Sequence, residues 1–366
     1  MFKSIKFNKK IVNSIFCLFL ILSFIYACKK TPNAQEEITY IEQLKKDYPD
    51  LSYYIDEVAK MDEKERNGLL LMVGIKDKVL SKETIKTLKD NNIMGVILFS
   101  YNIENEKQLK QLTSDLRQYV NPNMLISIDQ EGGEVNRINF DKLKDISPKN
   151  IGDSNSIKYA YNIAYQKSKF LLDLGINMIL GPLCDIPNDT NSYIYNRSFS
   201  TNADTVSKMA AAVVKAQKDA GIISVLKHFP GHGDTVVNSH NDFPSIDKNT
   251  NDLISKEFLP FKKAIEAGAE MVLVSHIKNK YIDDKYPASM SKKYADILEK
   301  DLGFNGVVIT DDLVMTGNID RGIDFGINLT SNVYENAKDM FKDIKPDILS
   351  CARVLKIILE NKLSRT

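Results

Sequence analysis

Eight short apolar runs punctuate this chain, and their spacing leaves few folds open. They are Leu70–Gly74, Met94–Phe99, Met124–Ile128, Met178–Gly181, Ile223–Leu226, Met271–Val274, Gly306–Ile309 and Phe325–Leu329. Each has a length suited to a buried strand. Amphipathic segments separate most of them, most clearly Glu106–Tyr119, Ile157–Leu174, Thr201–Ala220 and Asp252–Ala267. In the third, Val206, Ala210, Val213 and Ala220 mark one apolar face. Buried strands alternating with helices predict an α/β fold, a single (β/α)8 TIM-type barrel. At 366 residues the chain has room for that barrel or for two average domains. A doubly wound open sheet is the competitor, but no Gly-x-Gly-x-x-Gly turn follows the first run.

Two ends of the pattern are less regular. Ahead of the first run, Ile38 to Gly68 reads as helical and charged, with Tyr40, Leu44 and Tyr48 at four-residue spacing. Near the far end, only Thr316 to Asp324 separates the seventh strand's loop from the eighth run, too little for a crossover helix. The barrel is therefore expected to be irregular around its seventh helix and eighth strand, with Gly317, Gly322 and Gly326 in a looped connection. Pro346 to Lys362 then closes it, with Ile348, Ala352, Leu355 and Leu359 on one face.

In such barrels the active site lies at the carboxyl ends of the strands, so polar groups should punctuate those ends. The third run leads into Asp129-Gln130-Glu131-Gly132-Gly133 and Arg137, and the fourth into Gly181-Pro182-Leu183-Cys184-Asp185. The fifth leads into Lys227-His228, the sixth into Ser275-His276 and the seventh into Thr310-Asp311-Asp312. Any one of these reads equally well as a charge capping a loop. Five converging on one rim do not.

The densest of these segments is Lys227 to His240, Lys-His-Phe-Pro-Gly-His-Gly-Asp-Thr-Val-Val-Asn-Ser-His, which holds three of the four histidines. Pro230, Gly231 and Gly233 forbid a helix there and force a tight path. Lys-His-Phe-Pro-Gly-His-Gly resembles the signature loop of family 3 glycoside hydrolases, in their β-N-acetylglucosaminidase branch. Three other segments resemble the same family in the expected order. They are Ile128 to Gly133 with Arg137, Asn196-Arg197-Ser198-Phe199, and Thr310 to Met315.

The resemblance implies a retaining glycosidase, in which a carboxylate attacks the anomeric carbon and an acid protonates the departing oxygen. It assigns the nucleophile to Asp311, forming a glycosyl-aspartate, and the acid/base to His240 on a mobile loop. Asp312 is the rival nucleophile and otherwise a helix-cap or loop residue. The resemblance also places Asp129, Arg137, Arg197, Lys227 and His228 on the terminal N-acetylglucosamine, Asp129 accepting from sugar hydroxyls and the other four donating to them. His232 is expected to support the glycine-rich loop, His276 divides evenly between core and site, and Glu131 has no assignment. One departure bears on mechanism. Where the family pairs its catalytic histidine with an aspartate two residues earlier, this chain has Asn238, which can hold the imidazole's tautomer but not stabilise its charge. Reduced but real hydrolysis is expected, unless Asp234 or Asp242 supplies the charge instead.

Residues 1–27 read as an export signal, with Lys3, Lys6, Lys9 and Lys10 ahead of an apolar run from Ile11. The ending Ile25-Tyr26-Ala27-Cys28 resembles a bacterial lipobox, making Cys28 the lipidated first mature residue and 28–37 a polar tether. The catalytic barrel is then 38–366. Apart from Cys17 and Cys28 the chain has only Cys184 and Cys351, so no disulfide framework is expected. No metal or cofactor is expected, since no Cys/His spacing suggests a metal site. Lys+Arg 49 against Asp+Glu 48 gives no electrostatic footprint for nucleic acid. The expected partners are a carbohydrate and, through the lipid, a membrane. The leading reading is an exported β-N-acetylglucosaminidase acting on peptidoglycan fragments. The alternatives are an attenuated or non-catalytic sugar-binding lipoprotein and a β-N-acetylglucosaminide phosphorylase.

Overall fold

The computed structural model describes residues 34–140, 146–233, 244–315 and 322–363. Cys17, Cys28, Asp234, Asn238, His240, Asp242 and Gly317 lie outside them. The chain divides into two compact units at Asp56/Glu57. The first carries the helix Ala34–Asp47 and a 3-10 turn, Pro49–Leu51. In the helix Leu44 is buried while Tyr40 is exposed.

The second unit is an eight-stranded parallel sheet closed into a barrel. Its strands are β1 (Leu71–Gly74), β2 (Gly95–Leu98), β3 (Leu125–Ile128), β4 (Met178–Ile179), β5 (Ile223–Phe229), β6 (Met271–Val274), β7 (Val307–Thr310) and β8 (Asn328–Thr330). Each pairs with its sequence neighbours, and β8 also pairs with β1 through Leu71↔Asn328 and Met72↔Leu329. The ring closes at a parallel bridge between Ile309 and Ile327. There the Ile327 N–H donates to Val308 O and the Thr310 N–H to Ile327 O, both at 2.9 Å. Closure leaves no sheet edge to protect.

The longer intervening helices are α1 (Lys82–Asp90), α2 (Glu106–Asp115), α3 (Ile157–Asp173), α4 (Ala203–Ala220), α5 (Phe258–Glu266) and α6 (Lys292–Lys300), with α7 (Ile348–Leu363) after β8. Their starts follow from side-chain caps: Ser81, Asn105, Ser156 and Asn202 each accept a hydrogen bond from the backbone two or three residues into the helix. Val206, Ala210, Val213 and Ala220 of α4 are buried as their spacing predicts. Gly221 ends that helix at φ 87, a left-handed conformation that other residues adopt at a cost. In α7, Ile348, Ala352 and Leu355 are buried but Leu359 is only half-buried, and Cys351, Val354 and Ile358 complete the packed face.

Three expectations change. The segment Asp252–Ala267 is two helices, Thr250–Ser255 and α5, because Lys256 departs from helical geometry and Pro260 fits only the opening turn of a new helix. The helix at Glu106 stays α-helical only to Asp115 and ends in a π turn, Leu116–Val120. β5 runs on to Phe229, past the apolar run that predicted it. Among the described residues no helix lies between β7 and β8, in keeping with the short connection.

Candidate active site

The carboxyl ends of β3, β4, β5 and β7 surround one cavity. Asp129, Glu131, Arg137, Arg197, Lys227, His228, His232, Asp311 and Asp312 all line it. Every described residue expected to bind or transform a ligand thus reaches the same space. His240 and Asn238 fall in 234–243, outside the described residues.

Just past β3 the chain turns back as a short antiparallel hairpin, Gln130–Gly132 against Val135–Asn136. Gln130 staples it. Its Oε1 accepts from the backbone N–H groups of Arg137 and Ile138, each at 3.0 Å, and its amide donates to Asn136 Oδ1 at 2.6 Å. The staple brings Arg137 back over Asp129, with Nη2 3.4 Å from Oδ2, and stacks its guanidinium on Phe99 at 5.7 Å. From α3, the buried Lys167 ammonium donates to the Gln130 and Glu131 carbonyls at 3.3 and 2.8 Å, fixing the turn from behind.

Glu131 is the hub of the ion pairs. Its carboxylate receives Lys227 Nζ at 2.7 Å and two parallel bonds from Arg197, Nε at 2.9 Å and Nη2 at 2.8 Å. Lys227 also reaches Asp129 Oδ1 at 2.6 Å. Burial alone would raise Glu131, but Lys227 and Arg197 outweigh it and hold its pKa down at about 2. Glu131 has no assignment from the strand-end pattern, and its two oxygens are what aim both cations.

Along β5, Lys227 and His228 both face the cavity, and the peptide between them is cis. Phe229 points the other way, against Phe258 at 4.9 Å, Phe261 at 5.2 Å and Tyr294 at 6.1 Å between ring centroids. His228 Nδ1 lies 2.7 Å from Asp185 Oδ2, and Asp185 Oδ1 accepts from the His232 N–H at 2.7 Å. The His232 ring bonds to the Tyr193 hydroxyl, and burial lowers its pKa to about 4. His232 therefore lines the cavity as well as supporting the glycine-rich turn. Tyr193 and Asp185 were not assigned from sequence. Asp185 obeys the strand-end rule that found the others, whereas Tyr193 gives no such signal.

At the end of β7, Asp311 is buried, its N–H donating to Val274 O at 2.9 Å and its Oδ1 accepting from the Asp312 N–H at 2.9 Å. Burial alone would raise its pKa. His276, His228 and the Asp312 N–H outweigh this and hold the carboxyl below its usual range, so Asp311 is a carboxylate at neutral pH. Asp312 faces a different task. Its Oδ1 accepts from the Val314 and Ser331 N–H groups at 3.1 and 3.0 Å, tying the β7 loop to the end of β8. Its carboxyl is pushed up by burial. His276 is fully buried, with Nε2 donating to Asp312 O at 2.8 Å and Nδ1 in hydrogen-bond contact with Ser289 Oγ at 2.7 Å. It braces the Asp311–Asp312 turn and does not line the cavity.

Residues 61–333 match the family model described as glycosyl hydrolase family 3 N terminal domain. The chain belongs to that family. Over 320 residues the family 3 chain is 33% identical to "Beta-hexosaminidase A" of Pseudoalteromonas piscicida, a match covering 81% of this chain and 52% of the relative. It thus spans about half the length of that protein. Over 257 residues it is 34% identical to "Beta-hexosaminidase" of Actinobacillus pleuropneumoniae serotype 3, covering 68% of this chain and 73% of the relative. Among solved structures, a family 3 β-N-acetylglucosaminidase from Paenibacillus sp. str. FPU-7 superposes with a TM-score of 0.77 at 28% identity, over 83% of this chain and 63% of that one. NagZ from Neisseria gonorrhoeae, in complex with N-trifluoroacetyl-D-glucosamine, gives 0.71 at 28%, over 79% and 89%.

Proposed function

We propose that this family 3 chain is a retaining glycosidase that removes terminal, non-reducing β-linked N-acetylglucosamine. The observation that carries the reading is the meeting, in one cavity, of a buried ionised Asp311 with the Arg137–Asp129–Lys227–Glu131–Arg197 network and His228. Asp311 attacks the anomeric carbon while the bond to the aglycone oxygen breaks. His240 gives that oxygen its proton, then takes one from the water that cleaves the glycosyl-aspartate. Asp129, Arg137, Arg197, Lys227 and His228 hold the sugar's hydroxyls.

The test is release of p-nitrophenol from the aryl β-N-acetylglucosaminide by the parent and by Asp311→Asn, with a 2-fluoro glycoside to trap the intermediate. We expect turnover in the parent alone and a covalent adduct on Asp311. A parent that neither turns over nor binds N-acetylglucosamine sinks the proposal. Asn238 favours a second reading, a sugar-binding protein with attenuated catalysis, in which binding persists and no adduct forms. The names of the relatives support the aminosugar; peptidoglycan fragments as substrate follow from the export reading. On that reading residues 1–27 are removed, Cys28 carries lipid and 28–37 is a tether. Labelling with radioactive palmitate should be lost in Cys28→Ala, and labelling that survives refutes the anchor.

A further inference from the structure

The Asp185 side chain is fully buried and its two oxygens serve two different residues of the site. Oδ2 meets the His228 ring at Nδ1, 2.7 Å away, while Oδ1 accepts from the His232 N–H at 2.7 Å. The His228 N–H lies 3.3 and 3.2 Å from Oδ1 and Oδ2. Those two residues bracket the Pro230–Gly231 turn, which the Gly231 N–H closes on His228 O at 2.7 Å. Burial alone would raise Asp185, but His228 and His232 outweigh it and hold the carboxyl below its usual range. An ionised carboxylate can only accept. The proton shared with the ring therefore sits on His228 Nδ1, and Nε2 is the nitrogen that meets the cavity.

We propose that Asp185 is a positioning residue that locks His228 in its Nδ1–H form, presents Nε2 to a sugar hydroxyl, and ties that ring to the backbone of the His228–His232 turn. The sugar-reading imidazole and the base of the glycine-rich segment are then one unit. An asparagine at 185 keeps the shape but not the function. Two backbone N–H groups need an oxygen, so the amide carbonyl must face them and the amide NH2 must face His228 Nδ1. Nδ1 then becomes an acceptor and the proton moves to Nε2. The effect on sugar binding rests on the proposed function; the tautomer does not.

Two measurements test it. Imidazole 15N shifts of the histidine-labelled protein at neutral pH, with the His228 pattern identified by its loss in His228→Gln, should show a protonated Nδ1. In Asp185→Asn the proton should appear on Nε2. An unprotonated Nδ1 in the parent overturns the proposal even if the variant does not fold, and so does a His228 pattern unchanged by Asp185→Asn. The second is a double-mutant cycle on inhibition by N-acetylglucosamine. Asp185→Asn should weaken it about three- to tenfold, the worth of a hydrogen bond between neutral groups, yet less than about 1.5-fold once His228 is already Gln. Equal losses in both backgrounds mean that Asp185 does not act through His228. A parent that does not bind the sugar refutes the proposed function, while the 15N shifts still decide this inference.

Discussion

Glu131→Gln isolates the electrostatics of the site from its shape. The variant keeps one acceptor oxygen, which in the Oε1 place still serves Lys227 and Arg197 Nη2, but turns an amide NH2 toward Arg197 Nε. Its cost can be worked from the parent. Glu131 falls from 4.5 to about 2 in the fold, and at about 1.4 kcal/mol per unit the ionised form gains about 3 kcal/mol over the neutral one. Removing one partner of a buried ion pair costs about 3–5 kcal/mol by mutational experience, which agrees. At about 2 °C per kcal/mol for a domain of this size, the melting temperature at pH 7 should drop by about 6 °C. The pH dependence adds a sign. A depressed carboxyl stabilises the fold above its unfolded value and loses that contribution as pH falls toward its folded value. The gap between parent and variant should therefore be constant above about pH 5 and shrink between pH 4.5 and about 2. Thermal melts by circular dichroism at pH 7, 5, 4 and 3 read it directly. A gap under about 1 °C at pH 7, or one that is undiminished at pH 3, refutes the account of Glu131 as the ionised hub.

Asn238→Asp should raise turnover of an aryl β-N-acetylglucosaminide, because a carboxylate stabilises the imidazolium that Asn cannot; a variant slower than the parent counts against His240 as acid/base. Gly233→Ala should cut kcat/KM more than about tenfold, since the added Cβ would stand 1.8 Å from Ile186 O and must displace the turn that carries His232. Full activity in that variant means the turn's position is not critical. Adding millimolar phosphate to the assay should leave the product as free sugar, and sugar 1-phosphate above background would establish a phosphorylase instead.

Much of the barrel is legible in the sequence because its strands are buried on both faces, so an apolar run marks each, although the eighth, Phe325–Leu329, shares only two residues with β8. The failures have the same origin. β5 continues through Lys227 and His228, which apolarity cannot recognise as strand because those side chains face the cavity. β4 ends at Ile179, two residues before the apolar run does, as the chain turns toward Pro182. In the site, the strand-end rule finds the donors and carboxylates but not their pairing. Asp312 and Asp311 are adjacent and chemically alike, and only the partners separate them: backbone N–H groups of Val314 and Ser331 for one, a histidine-rich cavity for the other. Glu131 and Asp185 escaped assignment for a related reason. Their partners lie 66 and 43 residues away, distances over which spacing carries no information.

That pairing also bears on which second substrate the cavity suits. Its described lining holds three permanent cations, Arg137, Arg197 and Lys227, and each is already within hydrogen-bond reach of Asp129 or Glu131. A phosphate dianion entering here would have to draw a cation away from a buried carboxylate, leaving that carboxylate uncompensated at a cost of several kcal/mol. It would also approach Asp311, a like charge. A sugar hydroxyl faces neither penalty. It can accept from an N–H edge the carboxylates leave open and donate to a carboxylate lone pair, adding a neutral partner to ion pairs that stay intact. Water carries no charge either, so the balance that holds Lys227 and Arg197 in place favours hydrolysis over phosphorolysis.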